Sequence, residues 1–583
     1  MAVRRLLLAL LLLIAWPAFA AMNSWLVSGP PTILSVAVTS GYFSGNPTSG
    51  TTISPIVVSA TGPFTGTLTL GGADAAKFAI SGSNLNAAAT LSPGIEYALT
   101  VTPTQAGYVN SGLPTAVHVY GGLQYYMSVS GDDTNSGTSS GSPWRTPAHN
   151  VHCADTINAA PGTYPPQSLG FNTWGVSSCP NNDNVAWVKC SGTLGTCLVD
   201  GDYLNKGAVA VDQSYWGVQG FQATDPSNPY GGCFAIQPRF ATITVHHIAF
   251  ANNIANHCPL AGVDGSGFGG SIGPSSYDYW VWAGNLVWNG AASSAFCGSA
   301  FSAAGPTPAD NAPGSHALMV QNIGVATIAG QNCVNGGVSG GETDGQGLIL
   351  DRFDILNYTA IVTVENNLFV GNGGMGFHQF INGTGGTPPN IYVRNNTLYG
   401  NNQDPNECSY TIGEFGLDQA GAATGVDNIF AATIAGKCAF PGVFAFATSG
   451  IFPQSLIDRN WLWNYVDPVN NIAISWTTGY TCLTGPRVPN PGTGNTTRQI
   501  CPNNIVADPL FTGPTATPGQ WFCSGFSDTM ACAASTIARF TPTAPGSTNF
   551  GFTHLTPVDA FNSTPFFRNV LHALPAALNP HGF

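Results

Sequence analysis

Ionisable side chains are concentrated in one stretch of a chain that otherwise contains few of them. Asp, Glu, Lys and Arg make up only 7% of the 583 residues. Carboxylates, a histidine and an arginine in one cluster can serve as acid, base or cation ligands. We therefore predict the functional site here, with Asp351, Glu365, His378 and Arg394 as candidate catalytic residues. Within 53 residues the cluster contains Glu342, Asp344, Asp351, Arg352, Asp354, Glu365, His378 and Arg394.

Three carboxylates of this cluster are arranged as expected for a calcium site. Asp344 lies in a Gly-rich turn, Asp351 ends an apolar strand that begins at Leu348, and Asp354 begins the following loop. Ca²⁺ takes roughly six to eight oxygen ligands in irregular geometry, which suits carboxylates from such different elements. We predict that Asp344, Asp351 and Asp354 bind Ca²⁺. The structural alternative for Asp344 is a turn cap, because Asp commonly hydrogen-bonds the backbone of its own turn.

The same stretch contains a repeat of 29 residues. Gly347 precedes Gly376 by 29 positions, and Asn367 precedes Asn396 by the same number. A short, strand-rich unit of this kind cannot bury its apolar face alone, so successive copies stack into a solenoid. The repeat therefore predicts an all-β protein with the copies as coils of a β-solenoid.

Alignment of the two copies places certain side chains on neighbouring coils. Glu365 aligns with Arg394, and Ile349 aligns with His378. Glu365 and Arg394 then form either a surface ion pair across two strands or the acidic and basic members of a sugar cleft. His378 is either a hydrogen-bonded structural residue or part of the site.

Asparagines followed by apolar or β-branched residues recur along the chain at spacings of 29 to 45 residues. Equivalent residues of a parallel solenoid stack about 4.8 Å apart. We predict a ladder in which each asparagine amide hydrogen-bonds the next. Spacings above the minimum predict loops that protrude on one side. The ladder residues are Asn285, Asn322, Asn367, Asn396 and Asn428.

The N-terminus has the features of a secretory signal over residues 1–20. Arg4 and Arg5 precede an apolar run, and Ala18-Phe19-Ala20 forms a small-residue cleavage site. No later segment supplies the roughly 18 unbroken apolar residues of a membrane span. We therefore predict a protein that is secreted or exposed at the cell surface.

All fourteen cysteines fall between Cys153 and Cys532, and an even number in an exported chain favours disulfides. A zinc site is disfavoured because no CxxC pair appears. The sequence does not choose among the possible pairings. Plausible local bridges are Cys179/Cys190, Cys190/Cys197, Cys482/Cys501 and Cys523/Cys532.

The charge balance argues against nucleic acid as a partner. Without residues 1–20 the chain has 13 basic and 28 acidic residues, a net charge of −15. Phosphate binding requires clustered Lys and Arg, which are missing here. The neutral polar composition favours a glycan as the partner of a monomeric protein. Aromatic candidates for stacking on sugar rings are Trp280, Trp282, Trp288, Tyr277 and Tyr279.

His246 and His247 are adjacent in an apolar strand pattern. Side chains of adjacent strand residues point to opposite faces, so at most one of the two is expected to face a cleft.

Two further regions flank the solenoid. Residues 31–121 contain short alternating strands separated by Gly, Pro, Asn and Ser, which predicts a small antiparallel β-sandwich. The segment from Gly72 to Gly107 resembles immunoglobulin-like or cadherin-like modules, which implies a spacer or binding module. Residues 512–583 are rich in Cys and Pro and are expected to cap the open edge of the solenoid.

The start of the solenoid resembles that of a known superfamily. Tyr125–Asp133 (YYMSVSGDD), Pro143–Thr146 (PWRT) and Ala160–Tyr164 (APGTY) are similar to the opening coils of pectate-lyase-like proteins. Val506–Phe511 (VADPLF) resembles the phrase that closes many of them. The resemblance implies a right-handed parallel β-helix over residues 123–511.

Enzymes of that superfamily mostly cleave acidic polysaccharides. In its lyases a cation neutralises the uronate carboxylate, and a Lys or Arg removes the adjacent proton. The resemblance would assign the cation to the three aspartates and the base to Arg394 or Lys206. The Asn-Thr-Asp, Gly-His-Gly and Arg-Ile-Lys signatures of the hydrolase branch are absent, as is the Trp-Ile-Asp-His pattern of pectate lyases.

The leading functional prediction is Ca²⁺-assisted β-elimination of an extracellular polysaccharide that contains uronate. One alternative is a glycoside hydrolase in which Asp351 acts together with Asp344 or Glu365, since paired carboxylates suffice for that chemistry. The other alternative is a non-catalytic surface or adhesion protein that binds glycans.

Overall fold

The structure is a computed structural model, and its described residues form two compact units, 1–123 and 124–583. Four predictions fall outside the described residues: the segment 1–20, Asp344, Asp354 and the pair Cys523/Cys532. The described residues are 30–38, 41–179, 183–201, 204, 206–224, 232–239, 243–258, 261–265, 277–288, 290, 298–312, 314–327, 334–335, 338–339, 345–353, 358–380, 389–403, 413–417, 422–432, 444–446, 455–465, 473–475, 480–489, 499–512, 538–552 and 565–572.

The first unit is a sandwich of two four-stranded sheets. One sheet contains, in spatial order, Ile33–Val38, Thr52–Ala60, Asn84–Ala87 and Phe78–Ser81. The other contains Tyr42–Ser44, Thr115–Gly122, Glu96–Thr104 and Thr67–Gly71, and Ala75–Lys77 is a short 3₁₀-helix. All pairs are antiparallel except Tyr42–Ser44 with Thr115–Gly122. Alternating buried residues of both sheets, such as Ile56 and Leu99, share one core, so the predicted sandwich is confirmed.

The second unit is a parallel β-helix, as predicted, built from three long parallel sheets. The twelve-stranded sheet contains Gln124–Met127, Thr156–Ala159, Ala186–Cys190, Trp216–Gln219, Val245–Ala251, Tyr277–Ala283, Ser315–Val320, Ile361–Glu365, Asn390–Arg394, Ala422–Val426, Ser455–Ile457 and Tyr480–Thr481. The eleven-stranded sheet contains Gly162–Tyr164, Cys197–Asp200, Phe221–Thr224, Ile254–Asn256, Leu286–Trp288, Ile323–Val325, Leu368–Val370, Thr397–Tyr399, Ile429–Ala432, Trp461–Asn464 and Ile505–Val506.

The nine-stranded sheet closes each coil. It contains Val209–Val211, Phe234–Ile236, Val263–Gly265, Phe301–Ala304, Leu348–Asp351, Phe377–Phe380, Phe415–Leu417, Phe444–Phe446 and Ala473–Ser475. Three small pairs and three short helices complete the described elements. These are Val151–His152 with Ser177–Ser178, Val334–Asn335 with Val338–Ser339, Val488–Pro489 with Gln499–Ile500, the 3₁₀-helices Pro166–Ser168 and Ser547–Asn549, and the α-helix Pro565–His572.

A tight turn connects the twelve-stranded sheet to the eleven-stranded sheet in the central repeats, from Ala251 to Ile429. Its first residue has a positive φ, for example 53° at both Asn366 and Asn395, a conformation that asparagine tolerates better than most residues. The second residue is the ladder asparagine. Its backbone and side-chain N–H groups both donate to the Oδ1 atom of the next asparagine at 2.8–3.2 Å. The predicted ladder is confirmed and is longer than expected: Asn253, Asn285, Asn322, Asn367, Asn396, Asn428, Asn460 and Asn504.

All eight described cysteines form disulfides. The predicted pairs Cys190/Cys197 and Cys482/Cys501 are confirmed. The predicted pair Cys179/Cys190 is wrong, because Cys179 bonds Cys153 across the neighbouring parallel strands Val151–His152 and Ser177–Ser178. The fourth bond joins Cys233 and Cys258. Disulfides are typical of proteins exported to oxidising compartments.

The described C-terminal residues pack on the sides of the solenoid. Phe540, Phe550 and Phe552 lie in an apolar cluster with outward residues of the eleven-stranded sheet. The helix Pro565–His572 places Phe566, Phe567, Val570 and Leu571 on the outer face of the twelve-stranded sheet. Apolar side chains face outward there, so this cover removes them from water. No helix among the described residues is long and apolar enough to cross a membrane.

Candidate functional site

The outer face of the nine-stranded sheet carries the candidate site. In several of its strands the residues on either side of the outward position, such as Leu348 and Leu350, belong to the core of the solenoid. The central residues therefore point outward, because side chains alternate along a strand. We call this column of neighbouring outward residues the outer strip: Ala235, Asp264, Ser302, Ile349, His378 and Gly416. The strip brings an aspartate and a histidine, both buried, to one side of the sheet in a protein that has few ionisable groups.

The sequence has more residues between the described strands before and after this sheet than between the other two sheets. The chain takes two residues to turn from the twelve-stranded to the eleven-stranded sheet at Asn366 and Asn367. By contrast, residues 289–300 lead into the nine-stranded sheet, and residues 266–276 lead out of it. Catalytic and binding residues are found disproportionately where loops surround a rigid scaffold. The lengths of these connections in the sequence favour the nine-stranded sheet over the other two sheets as the location of the functional site.

Among the described residues, Asp264 and Asp351 are carboxylates on this face of the sheet, two strands apart. Asp351 follows Ile349 by two residues and therefore also points outward, beside Ala304 and Phe380 of the adjacent strands. Two strand spacings and two residues along the strand place the Cα atoms of Asp264 and Asp351 about 12 Å apart. Burial raises the pKa of Tyr277, and the charges of Asp264 and Asp351 raise it further. Both carboxylates thus lie within electrostatic range of one hydroxyl group.

His378 belongs to the outer strip, and Ile349 lies between it and Ser302. The predicted pairing of His378 with Ile349 is confirmed. Its side chain is buried, and its Nδ1 atom lies 3.4 Å from Nε2 of Gln346. Gln346 in turn contacts Ser299 through a 2.8 Å hydrogen bond. His378 is therefore held by a chain of buried polar groups.

The calcium prediction rests on one described residue. Asp344 and Asp354 lie outside the described residues, and Asp351 is 3.7 Å from the guanidinium of Arg352. Within the described part of the chain, one group of potential ligands is close enough to share a metal ion, namely Asp458, Cys482 and Cys501. The two cysteines form a disulfide, so this group is not a metal site. Calcium binding stays a prediction.

Glu365 and Arg394 are neighbours, as predicted, but they lie outside the outer strip. They pair in register on the twelve-stranded sheet, and Arg394 Nε lies 2.7 Å from Glu365 Oε1. The expected surface ion pair is wrong in one respect, because the Glu365 side chain is only 1% exposed. The chain arrives from the nine-stranded sheet at Ile361, the first residue of this strand. Glu365 is the last residue of the strand, about 13 Å from Ile361. The pair therefore does not share a surface with Asp351.

Lys206 is also remote from Asp351. It precedes Val209–Val211, the first strand of the nine-stranded sheet, whereas Leu348–Asp351 is the fifth. Four strand spacings separate them by about 19 Å. Of the five predicted catalytic residues, the structure brings only Asp351 and His378 to one surface.

A second titratable cluster lies near the N-terminal ends of two central strands of the twelve-stranded sheet, Tyr277–Ala283 and Ser315–Val320. His316 contacts Asp278 through Nδ1 at 2.9 Å and the Ala312 carbonyl through Nε2 at 3.0 Å. Tyr279 donates its hydroxyl to Asp310 at 2.8 Å, and its ring stacks on His316. Burial lowers the pKa of His316, but the hydrogen bond and charge of Asp278 outweigh it, and the net effect raises that pKa. Both ring nitrogens face acceptor oxygens, as a charged imidazolium requires.

His246 and His247 face the same side of the chain, so the prediction that they point to opposite faces is wrong. Their Nδ1 atoms are 2.9 Å apart. His247 has a positive φ of 58°, which breaks the alternation of the strand. The ring of His247 also stacks on Tyr279 and contacts Phe566 of the C-terminal helix.

The predicted sugar-stacking aromatics are mostly core residues. Trp280, Trp282 and Tyr277 are fully buried inside the solenoid, and Tyr279 belongs to the second cluster. Trp288 is half-buried and points outward from the eleven-stranded sheet. Trp288 alone therefore remains a described candidate for stacking.

Asp264 is a carboxylate of the outer strip that sequence reasoning missed. It stands alone in the segment Ala261–Gly265, 78 residues before the first member of the predicted cluster. One signal was present, since an Asp inside an apolar strand is unusual in a chain with 7% charged residues. Only the register of the coils shows that Asp264 shares a surface with Asp351.

Comparisons with known proteins show little similarity. No protein-family model matches the chain, and no curated protein matches it. Among solved structures, a GH136 lacto-N-biosidase from Eubacterium ramulus is similar, with a TM-score of 0.33 and 12% sequence identity. The match covers 59% of this chain and 64% of that enzyme, so this chain spans less than two thirds of the enzyme's length. A similarity at this level supports no inference about activity.

Proposed function

We propose that the protein is an exported glycoside hydrolase whose catalytic carboxylates are Asp264 and Asp351. The observation that carries this proposal is the placement of both residues on the outer face of the nine-stranded sheet. Paired carboxylates that flank a glycosidic bond are sufficient for its hydrolysis. The four disulfides of the described residues and the polar, weakly charged composition fit work on a glycan outside the cell.

The separation of the carboxylates favours inversion of configuration. Inverting enzymes keep about 6.5–9.5 Å between the two carboxyl groups, whereas retaining enzymes keep about 5–5.5 Å. Cα atoms about 12 Å apart suit the wider spacing. One carboxyl group protonates the leaving oxygen while the other removes a proton from the attacking water, so the glycosidic C–O bond breaks as a new C–O bond forms.

The environments of the two residues suggest their roles. Asp351 lies 3.7 Å from Arg352, and a nearby guanidinium favours the charged carboxylate that a base requires. Asp351 is therefore assigned as the base. Asp264 is 1% exposed and is assigned as the acid.

The geometry gives less support to β-elimination. A lyase base must reach the proton beside the uronate carboxylate, and the two predicted bases are Arg394 and Lys206. Arg394 is on another sheet and Lys206 is about 19 Å from Asp351. Hydrolysis needs only the two carboxylates of the outer face.

The test compares the purified protein with Asp264→Asn and Asp351→Asn on a panel of plant, algal, bacterial and animal glycans. Asp200→Asn is the matched control, because Asp200 is exposed at the end of a strand of the eleven-stranded sheet. Reducing ends should appear with the wild type and the control, and kcat/KM should fall roughly 100-fold or more in both site variants. Proton NMR should show inverted anomeric configuration in the first product.

Other outcomes decide against the proposal. Ultraviolet absorbance from an unsaturated uronide would establish a lyase. Full activity in either Asp→Asn variant refutes that residue's role. Glycan binding with no cleavage of any panel member would make the protein a non-catalytic glycan binder, the second functional class predicted from the sequence.

A further inference from the structure

We propose that a cavity at the start of the solenoid is a separate glycan-binding site, which holds a neutral sugar residue. The cavity lies beside the first two strands of the twelve-stranded sheet, Gln124–Met127 and Thr156–Ala159, and its volume is about 340 Å³. Ligand pockets commonly have volumes of roughly 300–1,000 Å³. The outer strip is on a different sheet, so this inference does not rest on the proposed hydrolase activity.

Tyr126 and Asn158 bring their side chains to the outside of the solenoid at this point. Ile157 and Ala159 belong to the core, so Asn158 between them points outward. Tyr126 is the partner of Asn158 in the register of the two strands. Both residues line the cavity and are half-buried.

Two amide side chains of the lining are fixed by hydrogen bonds to each other and to the backbone. Asn158 donates both hydrogens of its side-chain amide, to Gln124 Oε1 at 2.9 Å and to the Tyr125 carbonyl at 3.0 Å. The reversed Asn158 amide would place its oxygen against the Tyr125 carbonyl oxygen, which cannot donate. Asn158 therefore keeps Oδ1 as an acceptor, and Gln124 keeps its NH₂ group as a donor.

These two remaining groups are available to a ligand. Within the part of the chain that the structure describes, neither Asn158 Oδ1 nor the Gln124 NH₂ group has another hydrogen-bond partner. Gln124 is half-buried and also lines the cavity. A ligand in the cavity thus meets one oriented acceptor and one oriented donor, which is the pattern that polar groups of a binding pocket provide.

The chemistry of the lining selects a neutral ligand. None of the lining residues, all of them described, is Asp, Glu, Lys, Arg or His. Tyr126 and three serines contribute hydroxyl groups, and Met127 and Pro143 add apolar surface. Hydroxyl groups both donate and accept, as those of a sugar do. A charged sugar would lose hydration there without gaining a counter-ion, so the lining fits a neutral sugar better than a uronate.

One wall of the cavity is held in place before any ligand binds. This wall is the segment 137–144, which contains Ser140. The backbone N–H of Tyr126 donates to the Gly137 carbonyl at 2.8 Å, and the Trp144 N–H donates to the Tyr126 carbonyl at 2.8 Å. The wall is therefore bonded to the strand at both of its ends. A preformed pocket of this kind loses little conformational entropy on binding.

The test follows Tyr126, because its ring reports directly on this cavity. The protein is labelled with 3-fluorotyrosine, and the ¹⁹F signal of Tyr126 is assigned as the one lost in Tyr126→Phe. We expect that signal to shift in a saturable way as neutral trisaccharides of glucose, galactose, mannose or xylose are added at millimolar concentrations. A Tyr126 signal that no neutral saccharide moves overturns the proposal. A stronger response to a trisaccharide of galacturonate overturns the assignment of a neutral ligand.

Two substitutions on the wall test whether the sugar occupies the cavity. Ser140→Trp places a large ring at a lining position that is exposed, so the core is not disturbed. Ser139→Trp is the matched control, since Ser139 is an exposed neighbour outside the lining. The dissociation constant should rise about tenfold or more in Ser140→Trp and stay within about twofold in the control. Equal affinity of Ser140→Trp and wild type overturns the proposal.

Gln124→Ala tests the oriented donor. This variant removes the NH₂ group, and the loss of one hydrogen bond to the ligand should weaken binding roughly tenfold. Unchanged affinity in a folded Gln124→Ala protein overturns the role of the amide pair.

Asp351→Asn separates this proposal from the proposed function. The variant should retain the shift of the Tyr126 signal with unchanged affinity, because Asp351 is on another sheet. If Tyr126 responds while no glycan of the panel is cleaved, the hydrolase proposal fails and the binding site stands. If Asp351→Asn abolishes the response of Tyr126, the sugar is held by the outer strip and the binding site is refuted.

Discussion

Asn401 donates two hydrogen bonds to the carboxyl group of Glu414, from its backbone N–H to Oε1 at 3.1 Å and from its side chain to Oε2 at 2.6 Å. Glu414 thus ends a second, shorter ladder, which runs from Thr327 through Asn372 to Asn401. The carboxyl group is fully buried, and burial raises its pKa to about 8 despite the N–H donors around it. A group that titrates near neutral pH therefore holds one turn of the solenoid.

Glu414 makes the protein less stable as pH rises. The unfolded chain loses this proton near the ordinary pKa of 4.5, whereas the folded protein keeps it up to about 8. The folded state binds the extra proton between these values, so the free energy of unfolding falls with pH by a few kcal/mol, to order of magnitude. Glu414→Gln should remove this part of the pH dependence, as measured by urea unfolding at pH 5 and pH 8. The exposed Glu96→Gln is the control, and an unchanged slope in Glu414→Gln contradicts the prediction.

The asparagine ladder predicts a large stability effect at a single amide. Asn396→Ala removes the oxygen that accepts both N–H groups of Asn367. Two buried donors without partners cost about 1–3 kcal/mol each. The midpoint of urea unfolding should therefore fall clearly for Asn396→Ala and stay within error for the exposed Asn46→Ala. Equal midpoints for the two variants would show that the ladder contributes little.

His316 should stabilise the protein most at low pH. Its pKa in the folded state is raised above the ordinary value of 6.5, so the charged ring is favoured by folding. This contribution is fully present below about pH 6.5 and is lost as pH rises through the raised pKa. The difference in melting temperature between wild type and His316→Gln should be largest at pH 5.5 and smaller at pH 9. The control is His118→Gln in the first unit, and a difference that grows with pH would contradict this assignment.

The pair of Glu365 and Arg394 should matter for stability rather than for catalysis. Arg394→Met leaves the buried Glu365 carboxylate without its guanidinium partner, and breaking a buried pair costs about 3–5 kcal/mol. Activity per folded molecule should stay within about twofold of wild type, because the pair is on another sheet from Asp264 and Asp351. Glu365→Gln combined with Arg394→Met should regain part of the stability. If fully folded Arg394→Met instead lost activity roughly 100-fold, Arg394 would return to the catalytic residues.

Much of the fold could be predicted from the sequence because its signals are local and periodic. The 29-residue offset between Asn367 and Asn396 predicted stacked coils and the amide ladder, and it predicted the pairing of Ile349 with His378 and of Glu365 with Arg394. A period is a relation between neighbouring coils, and a solenoid is built from such relations.

The candidate site could be predicted only in part, because its members come from coils that the repeat does not connect. Asp264 lies in a segment with no recognisable copy of the repeat, so no alignment linked it to Asp351. A residue pattern does not reveal the burial of Glu365. Nor does it reveal the positive φ of His247, which brings the side chains of His246 and His247 together.

The sequence by itself determined the solenoid, its ladder and the neighbours of each strand, because short-range repetition dictates which backbone groups meet. Only the tertiary structure decided which acidic residues share a surface. That choice depends on how many residues each loop inserts between strands, and hence on which sheet and which face each side chain reaches. Asp351 and His378 lie on the same face of the nine-stranded sheet, and Asp264 lies there too. Arg394 is on another sheet, and Lys206 is distant along the solenoid axis.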